Sequence, residues 1–129
     1  NLLITYQARS ELPWLLFESH MDTVSAAGMD IDPFAADVRD GRIYGRGTCD
    51  TKGTGAAMLW ALIQYAGEGT GPNNIAIAYT IDEEIGKTGI RAFTGGQLQR
   101  LEWRPSGVIV GEPTGLVPVV AHNGIVRWQ

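Results

Sequence analysis

The sequence is poor in cysteine, in net positive charge and in long apolar runs, and each shortage excludes a class of protein. Its single cysteine, Cys49, rules out an internal disulfide and favours a reducing, cytoplasmic location. Ten Lys and Arg residues against 14 Asp and Glu residues give a net charge of −4 without a basic run, which argues against a nucleic-acid partner. The longest mostly apolar run, 56–66, is too short to span a bilayer, so we expect no membrane partner.

The apolar residues that are present predict a single α/β domain. The chain of 129 residues is long enough for one hydrophobic core. Nearly continuous apolar runs predict strands buried on both faces at 14–19, 74–81 and 108–111. Other β-prone stretches predict a first strand, a hairpin that turns at Asp-Gly and a last extended segment, at 2–7, 36–45 and 117–128.

Helices are predicted between these strands. A long helix over 52–68 is indicated by apolar residues at helical spacing, with a stripe of Ala56, Leu59, Trp60, Ile63 and Ala66 widened by Met58, Leu62 and Tyr65. A weaker pattern predicts a second helix over 88–98. Buried strands that alternate with helices indicate a layered α/β sheet, in which ligands collect at the carboxyl ends of the strands.

Side chains that bind metals follow four of the predicted strands. They are His20 with Asp22, then Asp50, then the triplet Asp82, Glu83 and Glu84, and finally Glu112. One histidine with several carboxylates suits zinc, with manganese or cobalt as alternatives. A structural zinc site would use more cysteine. The pattern therefore favours a metal site at the carboxyl edge of the sheet.

Each of these motifs alone also has an ordinary explanation. His20 and Asp22 suit a metal ligand with a carboxylate on its other ring nitrogen, and they suit a surface pair equally well. Asp50 occupies a natural helix N-cap position. The acidic triplet fits a solvated turn, and Glu112 before Pro113 fits a turn that ends a strand. The metal site is favoured because all four motifs fall at the same edge.

The acidic triplet allows two different roles for neighbouring carboxylates. Like charges this close repel one another unless a cation or water separates them. One carboxylate can bind a metal while its neighbour takes a proton from a water molecule. Nucleotide binding is rejected. Gly45 and Gly47 resemble the start of a dinucleotide-binding fingerprint, but Asp50 stands where its third glycine would be, and the charge of Asp50 would repel a pyrophosphate. The sequence also lacks a lysine at the Walker spacing.

Other polar residues receive simpler interpretations. Cys49 is interpreted as a small packing residue, since no partner pattern supports a nucleophile. His122 is interpreted as an ordinary strand histidine, and Lys52 as a residue that contacts the helix start or balances charge.

Together the motifs resemble a known enzyme family. The chain is similar to the dinuclear zinc peptidases and deacylases that include acetylornithine deacetylase, succinyl-diaminopimelate desuccinylase, aminoacylase and glutamate carboxypeptidase. Four motifs carry the resemblance in the family's order: His20-Met21-Asp22-Thr23-Val24, Gly45-Arg46-Gly47-Thr48-Cys49-Asp50-Thr51-Lys52-Gly53, Asp82-Glu83-Glu84 and Gly111-Glu112-Pro113-Thr114. They span nearly the whole chain, and they imply a three-layer αβα zinc-exopeptidase-like catalytic domain with a mostly parallel mixed sheet.

The resemblance implies a role for each matching residue. His20 and Glu112 would bind the first metal, Glu84 would bind the second, and Asp50 would bridge the two. Asp22 would orient His20, and a cis peptide bond would join Asp50 to Thr51. Glu83 would be the general base that takes a proton from the attacking water and passes it to the leaving amine. The implied cofactor is Zn2+, two ions per complete site, with Co2+ or Mn2+ as alternatives.

The resemblance also implies that residues 1–129 are part of a larger catalytic domain. Family members continue into a lid domain that forms a homodimer, and then return with a last histidine that binds the second metal. We therefore expect this chain alone to be inactive or nearly so, and to bind one metal better than two. The stretch from Gly111 to Gly124 is most similar to acetylornithine deacetylase, although Asn123 stands where lysine is usual; the desuccinylases are a close second.

Three functions follow as hypotheses. The first is a zinc-dependent deacylase that hydrolyses the amide bond of a small N-acyl amino acid, and the second is a carboxypeptidase or other exopeptidase with the same metal centre. The third comes from another class, a metal-binding or interaction module without catalysis. Glu83 argues against the third, because a site that only binds metal has no use for a base beside its ligands.

Overall fold

The computed structural model describes residues 1–121. Its six strands are β1 (Leu2–Tyr6), β2 (Trp14–His20), β3 (Asp37–Arg39), β4 (Arg42–Tyr44), β5 (Asn74–Thr80) and β6 (Pro105–Val110). A turn at Thr48–Lys52, in which Asp50 and Thr51 are not helical, leads into helix α1 (Gly53–Glu68). A second helical stretch consists of α2 (Thr88–Ala92), a π-helical turn (Phe93–Gln97) and α3 (Leu98–Arg100).

Four of the strands form one mixed sheet in the order β1-β5-β2-β6. The central strand β2 pairs in parallel with β5 on one side and with β6 on the other, so that Phe17 faces Ile77 and Ile109. Strand β1 pairs antiparallel with β5. Because β2, β5 and β6 run in the same direction, their carboxyl ends lie together at one edge of the sheet.

Helices cover both faces of this sheet, which confirms the predicted three-layer α/β architecture. On one face Leu62 of α1 packs against the buried Ile75 and Ile77. On the other face Phe93, from the second helical stretch, packs against Trp14 and Leu16. Alternate residues of β2 and β5 therefore serve different layers, as expected for strands buried on both sides.

The buried face of α1 matches the predicted stripe only in part, since Met58, Leu62 and Tyr65 face the sheet as expected. The residues that face the sheet are Gly55, Met58, Leu62 and Tyr65, whereas Trp60 is 65% exposed and Ile63 is 53% exposed. Gly55 sets this orientation, since a Cβ there would lie 3.1 Å from the Tyr79 ring and 3.2 Å from the Ser19 hydroxyl oxygen. The helix therefore turns a glycine towards the sheet at a point of close approach. The hydrophobic pattern of the sequence does not reveal this need for a small residue.

Two strand predictions require correction. The strand predicted at 108–111, which corresponds to β6, was expected to be buried on both faces. It lies instead at the edge of the described sheet, and Val108, Ile109 and Val110 are about half exposed. Of the predicted last extended segment, residues 117–121 are described by the structure and form no strand. The rest of that segment, with His122, lies outside the described residues.

The Asp-Gly hairpin forms as predicted but stands apart from the main sheet. Strands β3 and β4 pair with each other only, with Val38 opposite Ile43. Asp50 therefore follows a hairpin strand rather than a strand of the main sheet, which corrects the prediction that all four motifs end strands of one sheet. Within residues 1–121, no helix has the length and apolar character needed to cross a membrane.

Candidate metal centre

Three side chains from different parts of the chain meet at the carboxyl edge of the sheet. His20 ends β2, Glu112 follows β6, and Asp50 comes from the turn before α1. One potential ligand atom from each of the three lies within 4.8 Å of the others. His20 is buried, while Asp50 and Glu112 are exposed towards the open side of the site. The structure thus brings together three of the four predicted metal ligands.

The imidazole of His20 has a different partner on each nitrogen. Nδ1 lies 3.0 Å from the backbone oxygen of Asp22, and Nε2 lies 2.9 Å from Oδ1 of Asp50. A carbonyl oxygen can only accept, so Nδ1 carries a proton and Nε2 is the nitrogen left to face a cation. Burial lowers the pKa of His20, but the bonds to Asp22 and Asp50 and the negative charge of Glu112 outweigh it, so this pKa is raised.

Asp50 is held at the site by the residue that follows it. The fully buried Thr51 donates from Oγ1 to the backbone oxygen of His20 at 3.0 Å, and the same hydroxyl lies 2.9 Å from that of Ser19. Lys52 donates to the backbone oxygen of Met21 at 2.6 Å. The turn is thereby fastened to the end of β2. The peptide bond between Asp50 and Thr51 is cis, as the family resemblance implied.

Asp50 does not cap the helix, contrary to its predicted N-cap geometry. The residue before α1 is Lys52, and no side chain caps the helix start. Asp50 has φ −118° and ψ 97°, which places it in an extended conformation ahead of the helix. Its carboxylate is therefore directed to His20 instead of to the first N–H groups of α1.

Asp22 was expected to orient His20, and the structure gives its carboxylate another position. Oδ1 of Asp22 lies 3.6 Å from Nδ1 of His20, while the backbone oxygen of Asp22 is closer. The two carboxylate oxygens accept hydrogen bonds of 3.1 Å from the backbone N–H groups of Glu83 and Glu84. Burial opposes ionisation, but these bonds outweigh it and hold the pKa of Asp22 below its usual value.

The acidic triplet divides into three separate environments. Asp82 builds its own loop, since its carboxylate accepts from the backbone of Gly86 and from the hydroxyl of Thr88. Glu83 forms an ion pair with Lys87. Oε1 of Glu84 accepts from the backbone N–H of Val24 at 3.2 Å, so this predicted ligand stands outside the cluster of three.

Two cavities flank the cluster. The larger, of about 290 Å3, is lined by the carboxylates of Glu18, Glu83 and Glu112 and by mostly apolar residues that include Leu16, Phe93 and Val108. The smaller, of about 170 Å3, is lined by Asp50 and Glu84 together with Arg46 and Cys49. Glu83 and Glu84 thus open onto different cavities, and the cluster lies between them.

Glu18 belongs to this region and was missed in the sequence. It lies on β2 and is 9% exposed, and the hydroxyl of Thr80 donates to its Oε1 at 2.5 Å. Burial raises the pKa of this carboxyl group. Burial likewise raises the pKa of Glu112, and nearby carboxylates add to the effect. The signal was available, because Glu18 interrupts an apolar run and stands two residues before His20, on the same face of the strand.

Replacement of Asp22 by Asn is expected to lower the free energy of unfolding by about 1–3 kcal/mol. Asp22 uses both carboxylate oxygens to accept backbone bonds, whereas an amide offers one acceptor and would turn an N–H group towards a donor. Urea unfolding of the two proteins measures the difference.

Asp32→Asn is the matched control for this measurement. Asp32 is exposed and uses a single oxygen, Oδ1, to accept from the backbone N–H of Phe34 at 2.9 Å. An amide oxygen can replace that bond, so the control is expected to be near neutral. Equal stability of wild type and Asp22→Asn would show that Asp22 does not fasten the acidic loop.

Residues 16–124 match the family model of peptidase family M20/M25/M40. The match includes the strand that carries His20, the turn with Asp50, the acidic triplet and Glu112. The chain therefore belongs to peptidase family M20/M25/M40, and the resemblance drawn from the four motifs is confirmed.

Particular relatives include acetylornithine deacetylase of Pasteurella multocida, 39% identical over 129 residues. A protein of Aspergillus terreus named "Probable carboxypeptidase" is 34% identical over 135 residues. The alignments cover 98% and 100% of this chain but only 32% and 29% of those two relatives. Among solved structures, human carnosine dipeptidase 1 superposes with a TM-score of 0.71 at 25% identity, over 85% of this chain and 24% of that one.

Proposed function

We propose that this chain forms part of the catalytic domain of a metal-dependent hydrolase that cleaves the amide bond of a small N-acyl amino acid. The observation that carries the proposal is the convergence of His20, Asp50 and Glu112 within 4.8 Å, beside a glutamate that is not a member of the cluster. A site that only held a metal would not need that additional carboxylate, Glu83.

The donor set fits a divalent metal ion. An imidazole nitrogen and two carboxylates are all zinc ligand types, and three protein ligands leave a position open for water or substrate, as in catalytic zinc sites. His20, Asp50 and Glu112 would hold this ion, with Co2+ or Mn2+ as alternatives to zinc. A bound ion supplies Lewis acidity, which polarises the amide carbonyl and makes water a better nucleophile.

The chain's own residues perform the proton transfers in this proposal. Glu83 takes a proton from the attacking water and delivers it to the leaving amine, as a general base and then a general acid. Asp22 keeps Glu83 near the cluster through the backbone bond at 3.1 Å. His20 keeps its proton on Nδ1 because the carbonyl oxygen of Asp22 accepts it.

A complete site would hold two metal ions. Asp50 would bridge them, and Glu84 would bind the second ion, with the remaining ligand coming from a part of the polypeptide outside this chain. The chain covers less than a third of the length of its acetylornithine deacetylase and carboxypeptidase relatives, which leaves room for a lid and a dimer interface. We propose that the complete enzyme is a cytoplasmic homodimer and that this chain alone binds one metal better than two.

Acetylornithine-type substrates are the first choice, because a deacetylase of that name is 39% identical to this chain. A succinyl-diaminopimelate desuccinylase activity is a close alternative from the same family resemblance. A carboxypeptidase is the second candidate, supported by the 34% identity to the protein of Aspergillus terreus.

Hydrolysis assays on the complete enzyme test the proposal. The zinc-loaded protein is offered N-acetylornithine, N-succinyl-diaminopimelate and dipeptides, and amine release is measured. We expect fastest turnover on the acetylated substrate, loss of activity on chelation and recovery with zinc. Turnover that survives chelation would contradict the metal-dependent mechanism. Tight zinc binding without hydrolysis of any of these substrates would favour the alternative of a non-catalytic metal-binding module.

A further inference from the structure

The geometry points to Lys87 as the residue that positions Glu83, the general base of the function proposed above. The Lys87 ammonium donates to the backbone oxygen of Glu83 at 2.9 Å and forms an ion pair with Oε1 of the same residue. Glu83 is thus held at both its main chain and its side chain by one cation. This inference rests on the proposed function for its catalytic meaning, while the contact itself is independent of it.

The loop that carries Lys87 is built to present this contact. Lys87 has a positive φ of 56°, and Asp82 at the start of the loop has a φ of 61°. Asp82 fastens both sides of the turn by accepting from the backbone of Gly86 and from the hydroxyl of Thr88. Within this fastened loop the Lys87 side chain reaches Glu83, four residues before it.

Glu83 has reason to need a cation nearby. It lines the larger cavity together with Glu18 and Glu112, so three carboxyl groups share one space of about 290 Å3. Like charges that face one cavity repel one another, and this repulsion favours outward rotation of a flexible side chain. Lys87 lines the same cavity and supplies the positive charge that keeps Glu83 inside it.

The size of the expected effect follows from the exposure of the pair. The side chains of Lys87 and Glu83 are 51% and 33% exposed, and exposed ion pairs are weak. Lys87 therefore adjusts the position of Glu83 without deciding whether the protein folds. We expect Lys87→Met to lower kcat of the complete zinc-loaded enzyme about fivefold, with KM within about twofold because no substrate contact is lost.

Two variants separate charge from shape. Lys87→Arg keeps the cation and is expected to retain most of kcat. Arg91→Met removes a positive charge one helical turn away, from an exposed side chain, and is expected to leave kcat unchanged. An unchanged kcat in Lys87→Met, or a rise in KM instead of a fall in kcat, would overturn the assignment.

A double variant tests whether Lys87 acts through Glu83. In the Glu83→Gln variant, Lys87 has no carboxylate to position. Adding Lys87→Met to this variant is therefore expected to leave its residual kcat unchanged. If the same fivefold loss persisted there, Lys87 would act on something other than the base.

A carbodiimide reaction tests the contact without any activity assay. The reagent activates the Glu83 carboxylate, the Lys87 amine attacks it, an amide forms, and the reagent leaves as its urea. Mass spectrometry of the zinc-loaded wild type is expected to show loss of one water and a missed tryptic cleavage after Lys87, whereas Lys87→Met is expected to show no loss of water. Absence of this crosslink would overturn the inference even in an active enzyme, whereas an inactive wild type that forms the crosslink would count against the proposed function alone.

Discussion

Replacement of Glu83 by Gln is expected to lower kcat of the complete enzyme by about 10²–10⁴-fold. Glutamine has nearly the same shape as glutamate but cannot take a proton from water at neutral pH. Glu83 is not a member of the His20, Asp50 and Glu112 cluster, so the variant is expected to keep its metal. Steady-state kinetics and metal analysis of the same preparation measure both quantities.

The control for this experiment is Glu102→Gln, which removes the same charge from an exposed position away from the cluster. It is expected to match wild type in both measurements. Loss of metal together with activity in Glu83→Gln would make Glu83 a ligand rather than a base. Full activity in Glu83→Gln would exclude Glu83 as the base and favour Glu18, a carboxylate outside the cluster that lines the same cavity.

Much of the fold follows from the sequence because its strands are strongly apolar. The buried strands β2 and β5 begin where their apolar runs begin and end within one residue of the predicted positions. Their parallel pairing brings His20 and the acidic triplet to one edge, as the α/β pattern predicts. Local patterns were sufficient here because burial on both faces leaves a distinctive composition.

The orientation of α1 and the position of Asp50 did not follow from local patterns. The helix buries Gly55 because the backbone approaches Tyr79 and Ser19 closely, a requirement that appears only once the sheet is assembled. Asp50 satisfies N-cap chemistry in the sequence, but the buried Thr51 fastens the turn to β2 and leads the carboxylate to His20. In both cases a long-range contact outweighs a local preference.

The sequence named candidate ligands for the site but not the contacts that support them. His20, Asp50 and Glu112 meet in the structure, whereas Glu84 lies outside that cluster, and the roles implied by the family resemblance stay predictions. Asp22, by contrast, holds the backbone of Glu83 and Glu84 besides facing His20, and Lys87 and Glu18 had no assigned part. Such supporting bonds involve backbone groups and residues far apart in sequence, so motif spacing does not encode them.

The most direct test of the central claim is the zinc content of the chain after loading with zinc and dialysis against zinc-free buffer. The chain has only two histidines, so wild type, His20→Ala and His122→Ala form a complete set. The account predicts about one zinc ion per chain in wild type and in His122→Ala, because a histidine and two carboxylates suffice for a site with an open position. It predicts no retained zinc in His20→Ala. Retention of zinc by His20→Ala would contradict the account, because the ion would then be bound somewhere other than the carboxyl edge of the sheet.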